Sequence, residues 1–208
     1  MLGVFLDTET NGLNFYKHRV LEIAYKIIDL YTGQEISSFE TVLHQSIETW
    51  DMSDIQSLGV TGFSYEEIKN GKEESTVKKL ILEDFHRCNI RRGKAVFICQ
   101  NPSFDRVFFA QIVDPETQEA QLLPYHWLDL ASMYWATQMN RAKKDDAPYP
   151  WESGFSKDLI ASYYKLLPEQ TPHRAMNGVV HLIACYEAMV GFPHSYKGPP
   201  EKTTVSSS

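Results

Sequence analysis

Val4-Phe5-Leu6-Asp7-Thr8-Glu9-Thr10-Asn11-Gly12-Leu13 runs from an apolar triplet into a polar turn. The triplet reads as a short buried strand, and two acids sit at its C-terminal end. Residues i and i+2 of a strand point to one face, so Asp7 and Glu9 present their carboxylates side by side. At ~4 Å and an effective dielectric near 20, two such charges repel by roughly 4 kcal/mol. A divalent cation between them, or a proton on one, relieves that repulsion. An isolated Asp-x-Glu is more often two solvated acids at a strand end. Here the flanks set it apart: a buried strand precedes the pair, and Asn11-Gly12-Leu13 lets the backbone turn close to a ligand.

Downstream, residues 20–29 read as a second strand, Tyr31 to Gln34 as a turn and Phe39 to Leu43 as a third strand. From Ser53 to Phe85 the pattern is helical, with Val77, Leu80, Ile81 and Phe85 at helical spacing. Residues 95–99 form another buried strand, followed by a helix over about 103–113. The segment 127–139 reads as a helix after a short extended piece, and 141–154 as a surface loop. Helices over 157–166 and 173–190 close the domain. Strands first, then strands alternating with helices, predict an α/β mixed sheet flanked by helices. The expected division is one domain over residues 1–192 and a mobile, Pro/Gly/Ser-rich tail over 193–208.

Composition narrows the function classes. With 43% hydrophobic and 23% charged residues, the 208-residue chain can bury a core, which excludes disordered and collagenous classes. No apolar run approaches the ~18 residues of a membrane span. The opening Met1 to Leu6 is too short for a signal-peptide core. Three cysteines at wide spacing give neither a disulfide scaffold nor a zinc ribbon, so a reducing cytoplasm is expected. A formal net charge of −7 argues against a protein gripping long duplex DNA through many phosphates. Arg87, Arg91, Arg92 and Lys94 form the one basic cluster, a solvated loop in the first instance and a strand-guiding surface in the second.

Two further features carry chemistry. Asn101-Pro102-Ser103-Phe104-Asp105 follows the strand 95–99, which places Asp105 in the first turn of a helix, where the dipole alone would favour an acid. Thr171-Pro172-His173-Arg174-Ala175 opens the last helix, with Thr171 as N-cap and Pro172 at the first helical position. Ala175, Val179, Leu182, Tyr186 and Met189 form its core stripe. His173, Asn177, Gly178 and His181 fall nearer the other face.

In this order and spacing, Asp-x-Glu, Asn-x-x-Phe-Asp and His-x-Ala resemble the DEDDh (DnaQ-like) 3′→5′ exonucleases. That family includes the epsilon proofreading subunit of bacterial DNA polymerase III, RNase T, oligoribonuclease and exodeoxyribonuclease X. The resemblance spans residues 3–190, with support from Arg19 to Ala24, Leu58-Gly59-Val60-Thr61 and Trp127 to Leu130. It implies the ribonuclease H-like fold and release of 5′-mononucleotides from single-stranded 3′ ends of DNA or RNA. It also implies two ions, Mg²⁺ or Mn²⁺, held by Asp7, Glu9 and Asp105, with His173 taking the proton from the attacking water. Thr10, Asn11, Gly12, Leu13, Asn101 and Phe104 would line the substrate, Leu13 against the terminal base. A second copy of the chain, or a polymerase, is the protein partner that relatives suggest.

One position departs from the family pattern. The last carboxylate belongs five residues after the histidine, where this chain has Gly178. A glycine inside a helix costs about 1 kcal/mol relative to alanine. A degenerate site, a substituted aspartate and a register in which Asn177 stands in all fit. The departure predicts a weakened first-ion site and low activity in Mg²⁺, restored by Gly178→Asp. The other reading it allows is a non-catalytic module on the same fold that holds a 3′ end or a polymerase.

Overall fold

Five strands form one mixed sheet: β1 (Leu2–Thr10), β2 (Val20–Asp29), β3 (Glu35–Val42), β4 (Ala95–Cys99) and β5 (Trp127–Asp129). Their order is β3-β2-β1-β4-β5, with β1 antiparallel to β2 and parallel to β4. The computed structural model describes residues 1–145 and 147–194. Between β3 and β4 run α1 (Ile47–Asp51), α2 (Ile55–Thr61), α3 (Tyr65–Lys69) and α4 (Glu74–Arg87). After β4 come α5 (Pro102–Ile112), α6 (Pro115–Ala120), then β5 and α7 (Leu130–Asp145). The chain continues through α8 (Pro150–Ser153), α9 (Lys157–Tyr163) and α10 (Ala175–Met189).

Helices cover both faces of the sheet, which is why β1 is apolar without alternation until its end. Val4, Leu6 and Phe97 pack with Val77, Ile81 and Phe85 of α4 and Phe108 and Phe109 of α5. Phe5, Ala24 and Ile98 face the other way, onto Val179, Leu182 and Tyr186 of α10. Phe5 meets Tyr186 edge-on at 5.2 Å. Asp7 and Glu9 continue the Phe5 side of the strand, so α10 is the helix that crosses above the acid pair.

Several expected boundaries move. β3 begins at Glu35 rather than Phe39. The expected loop 141–154 holds the end of α7 and the short α8. α9 stops at Tyr163, ahead of Lys165 at φ 59°. α10 begins at Ala175, so His173 precedes the helix and neither Thr171 nor Pro172 takes the expected capping place. The free N–H of Ala175 is satisfied instead by the carboxylate of Glu22, reaching from β2 at 2.8 Å. Of the expected tail 193–208, residues 195–208 lie outside the described residues. His194 N donates to Tyr31 O at 2.8 Å. Among the described residues no helix is long and apolar enough to cross a membrane.

Candidate active site

The site forms where β1 ends. Asp7 is half-buried between the strand and α10, with Glu9 one step nearer solvent on the same side. Thr8 points to the opposite face, where its N–H and hydroxyl both donate to Asp105 Oδ1, at 3.0 and 2.9 Å. That pair pulls the first turn of α5 against β1 and leaves Asp105 buried beside Asp7. Asn101, in the left-handed region at φ 58°, makes the turn from β4 into α5. Its N–H donates to Asp129 Oδ1 at 3.0 Å, which ties the turn to the end of β5.

The third side comes from the α9–α10 segment. His173 N donates to Val60 O at 3.1 Å, and Arg174 pairs with Glu67 at 2.9 Å while lying 3.8 Å over the Phe63 ring. His173 is thereby clamped to α2 and α3. Its Nδ1 lies 3.4 Å from Glu169 Oε1, and its side chain makes no other polar contact among the described residues. The Glu169 side chain is 3% exposed, and its Oε2 pairs with Lys157 Nζ at 2.6 Å. His181 Nε2 donates to Leu167 O at 3.0 Å, because a carbonyl can only accept, and its Nδ1 stands 3.8 Å from Glu169 Oε2.

A cleft of about 360 Å³ collects these groups, lined by Asp7, Glu9, Asp105, Asn101, Phe104, Lys157, Glu169 and His173 among others. A second cleft of about 240 Å³ adjoins it along Thr8, Glu9 and Phe104, and Leu13, Asp54, Ser57 and Val60 line its far side. Leu13 is 74% exposed at that rim, free to meet a planar ligand.

So many acids in little solvent shift one another. Burial pushes Glu9 up to about 8, with Asp7 and Glu169 adding to it. Burial also raises Asp7 to about 6, opposed by the Lys157 ammonium. Asp105 is held well above the usual carboxylate range by burial and then by Asp7, against the two Thr8 hydrogen bonds. Glu169 goes the other way. Burial opposes its ionisation, yet the His181 imidazole, Lys157 and His173 bring it down to about 2. Ion-free, the cleft holds more carboxyl groups than one lysine can neutralise.

The structure places the expected residues unequally. Asp7, Glu9, Asp105 and His173 converge, with Asn101 and Phe104 at the cleft wall. Asn11 does not reach a ligand: it is fully buried, and its amide donates to Thr49 O and Ser53 Oγ and accepts from Arg19 N. The Thr10 hydroxyl donates to Gly12 O inside the same turn. Gly12, at φ 154°, lies so close to the His18 ring that a Cβ would sit 2.7 Å from its Cγ. These three residues build the turn that presents Leu13.

Gly178 faces the site, and its surroundings correct two expectations. It is buried against Asp7, and His181 is buried too, so both belong to the inner side of α10. A Cβ on Gly178 would lie 2.7 Å from Asp7 Cγ and closer still to a carboxylate oxygen. The glycine is a close-approach residue, so Gly178→Asp cannot simply add a ligand without displacing Asp7. The basic cluster lies away from the site. Arg87 pairs with Asp84 and Arg92 with Glu119. The cluster precedes β4, five residues at about 3.3 Å each away from the site end of that strand.

Two site residues escaped the sequence reading, Lys157 and Glu169. Lys157 left a signal: it is the first residue of α9, where the helix dipole disfavours a cation. Such a lysine needs nearby carboxylates. Glu169 left none, since only the fold brings it to His173 and His181.

No protein-family model matches the chain, and no curated protein matches its sequence. Solved structures match its fold. E. coli exonuclease I in complex with a dT13 oligonucleotide superposes with a TM-score of 0.69 at 17% identity, over 90% of this chain and 41% of that one. Cell-death related nuclease 4 gives 0.69 at 15% identity, over 91% and 63%. A 3′-exonuclease described with a histone mRNA stem-loop gives 0.64 at 13% identity, over 92% and 83%. The chain thus spans about two-fifths of exonuclease I. The mixed five-stranded sheet flanked by helices is the ribonuclease H-like arrangement of these nucleases.

Proposed function

We propose that the protein is a metal-dependent 3′→5′ exonuclease that removes 5′-mononucleotides from single-stranded 3′ ends. The observation that carries this reading is the convergence of Asp7, Glu9, Asp105 and His173 in one cleft at the end of β1. The acid set fits divalent cations: hard oxygen donors, crowded and part-buried, with a carboxylate oxygen of Glu169 left bare inside the protein. Asp7, Glu9 and Asp105 would hold Mg²⁺ or Mn²⁺, which when bound supply positive charge to the phosphate and acidify a nearby water.

The chain's own residues do the rest. Glu169 turns the His173 ring by its Nδ1, leaving Nε2 to take the proton from water. Thr8 fixes Asp105 so that only Oδ2 is free toward the cleft. Leu13 and Phe104 frame the adjoining cleft as a slot for the terminal base. The net charge of −7 agrees with a strand end held locally rather than along a basic groove.

A second reading draws on Gly178 and Lys157. With one family carboxylate absent and an ammonium among those remaining, the chain would be a non-catalytic module that holds a 3′ end or a polymerase. Timed digestion of a 5′-labelled single-stranded oligonucleotide, with Mg²⁺, Mn²⁺ or EDTA, separates the two. A ladder shortening from the 3′ end only with an ion supports the nuclease. An oligonucleotide bound but intact supports the module.

A further inference from the structure

Glu169 has an asymmetric carboxylate. Oε2 is anchored by Lys157 at 2.6 Å, whereas Oε1 is buried and makes no hydrogen bond, with His173 Nδ1 standing 3.4 Å away. A buried, ionised oxygen that no hydrogen bond satisfies is costly and needs an explanation. Glu169 lines the cleft, and one donor atom each of Glu9, Glu169 and His173 lie there within 4.8 Å of one another. Across the same space α10 contributes no carboxylate, because Gly178 lets the helix close onto Asp7.

We infer that Glu169 replaces the carboxylate missing at Gly178, so that a divalent cation is held through Glu9, Asp7 and the free Oε1 of Glu169. The donor has moved from the helix to the loop between α9 and α10, resting on the metal-dependent reading above. Lys157 gains a defined role in this arrangement. Without an ion it neutralises Glu169 and Asp7; with one it keeps Oε2 and fixes the direction of Oε1. His173 borders the ion on the side where water would be deprotonated, positioned by the same carboxylate. The first-ion site then has three carboxylates rather than two, and needs no aspartate at 178.

Titration of the full chain with Mn²⁺, with free ion followed by electron paramagnetic resonance, tests this without recourse to turnover. Glu169→Gln keeps the size of the side chain and an acceptor for Lys157 but removes the charge. It is expected to weaken the tighter Mn²⁺ site at least tenfold, while His173→Ala changes it by less than threefold. Equal affinity in Glu169→Gln and the parent, with Asp7→Asn abolishing binding, overturns the role of Glu169 and leaves the metal-dependent reading standing. A parent that binds no Mn²⁺ overturns that reading and this inference together. Should Glu169→Gln lose its cooperative melt, Glu169→Asp takes its place. Withdrawing the carboxylate by one methylene should weaken Mn²⁺ several-fold, and unchanged binding overturns the inference.

Discussion

The end of β1 and the α9–α10 segment supply the two halves of one cleft by opposite means. In β1 the chemistry is local: strand alternation alone puts Asp7 and Glu9 on one side and Thr8 on the other, where it secures Asp105. In the α9–α10 segment nothing is local. His173 is held by Val60, Arg174 by Glu67 and Phe63, Ala175 by Glu22, and Glu169 by Lys157. A local pattern is readable in any register of the fold, whereas the second half exists only once four elements have packed. Changes in β1 should therefore remove chemistry and leave the fold. Changes in the second half should mix the two.

Asp7→Asn should have the largest effect, abolishing both ion binding and any turnover while the melting temperature holds or rises, since a carboxyl penalised by burial has been removed. A variant that still binds Mn²⁺ would erase the distinction between the halves. His173→Ala comes next. Rate should fall by roughly 10²–10⁴-fold, with oligonucleotide affinity within a few-fold in single-turnover and binding assays. Equal losses in both would make His173 part of the scaffold.

The pH dependence of the ion-free protein separates the halves by sign. Glu9 and Asp7 are raised to about 8 and about 6 from ordinary values of 4.5 and 3.8, so the folded chain binds their protons more tightly than the unfolded one. Their contribution to stability is full below about pH 4 and is lost as pH rises to 8. Glu169, lowered to about 2, contributes fully above about 4.5 and is lost on acidification toward 2. Melting temperatures in EDTA should accordingly fall between pH 5 and 8, less steeply in Glu9→Gln, and Mn²⁺ should recover the loss at pH 8. A melting temperature that climbs over that range contradicts the assignment.

Gly178→Ala measures the contact between the halves. Helix propensity alone would stabilise it by about 1 kcal/mol, but overpacking against Asp7 should reverse the sign, for a net loss of roughly 1–3 kcal/mol. In an Asp7→Ala background the same change should become stabilising, as a denaturant double-mutant cycle would show. The smallest effect belongs to the loop before β4. Arg91→Ala with Lys94→Ala should alter oligonucleotide affinity by less than about 1 kcal/mol, and a larger loss would make that end of the sheet part of the strand path.

How legible each region was follows from the same contrast. β2 and β4 appear where the apolar runs place them, because central strands covered on both faces are mostly apolar, Glu22 and Lys26 being the interior polar residues of β2. The start of β3 was hidden because Glu35 to Ser38 form an exposed edge with serine and glutamate at its outward positions. The end of α7 and all of α8 were hidden by charged and proline-rich residues that look like loop. Asp7, Glu9 and Asp105 were legible as types at a spacing. Asn11 was misread because the same Asn-Gly turn that approaches a ligand also consumes its own asparagine. Lys157 left a faint mark in its unfavourable helix position. Glu169 left none, since an acid in a Pro-Glu-Gln loop is ordinary until His181 and Lys157 close around it.

Crystals soaked in Mn²⁺ and measured at the manganese absorption edge would locate the ions themselves. Anomalous density is expected in the cleft, in contact with Asp7, Glu9 and Oε1 of Glu169, with Asp105 facing a second peak. Density absent from the cleft at millimolar Mn²⁺, or an ion bound without Asp7 and Glu9, would contradict the metal-dependent site.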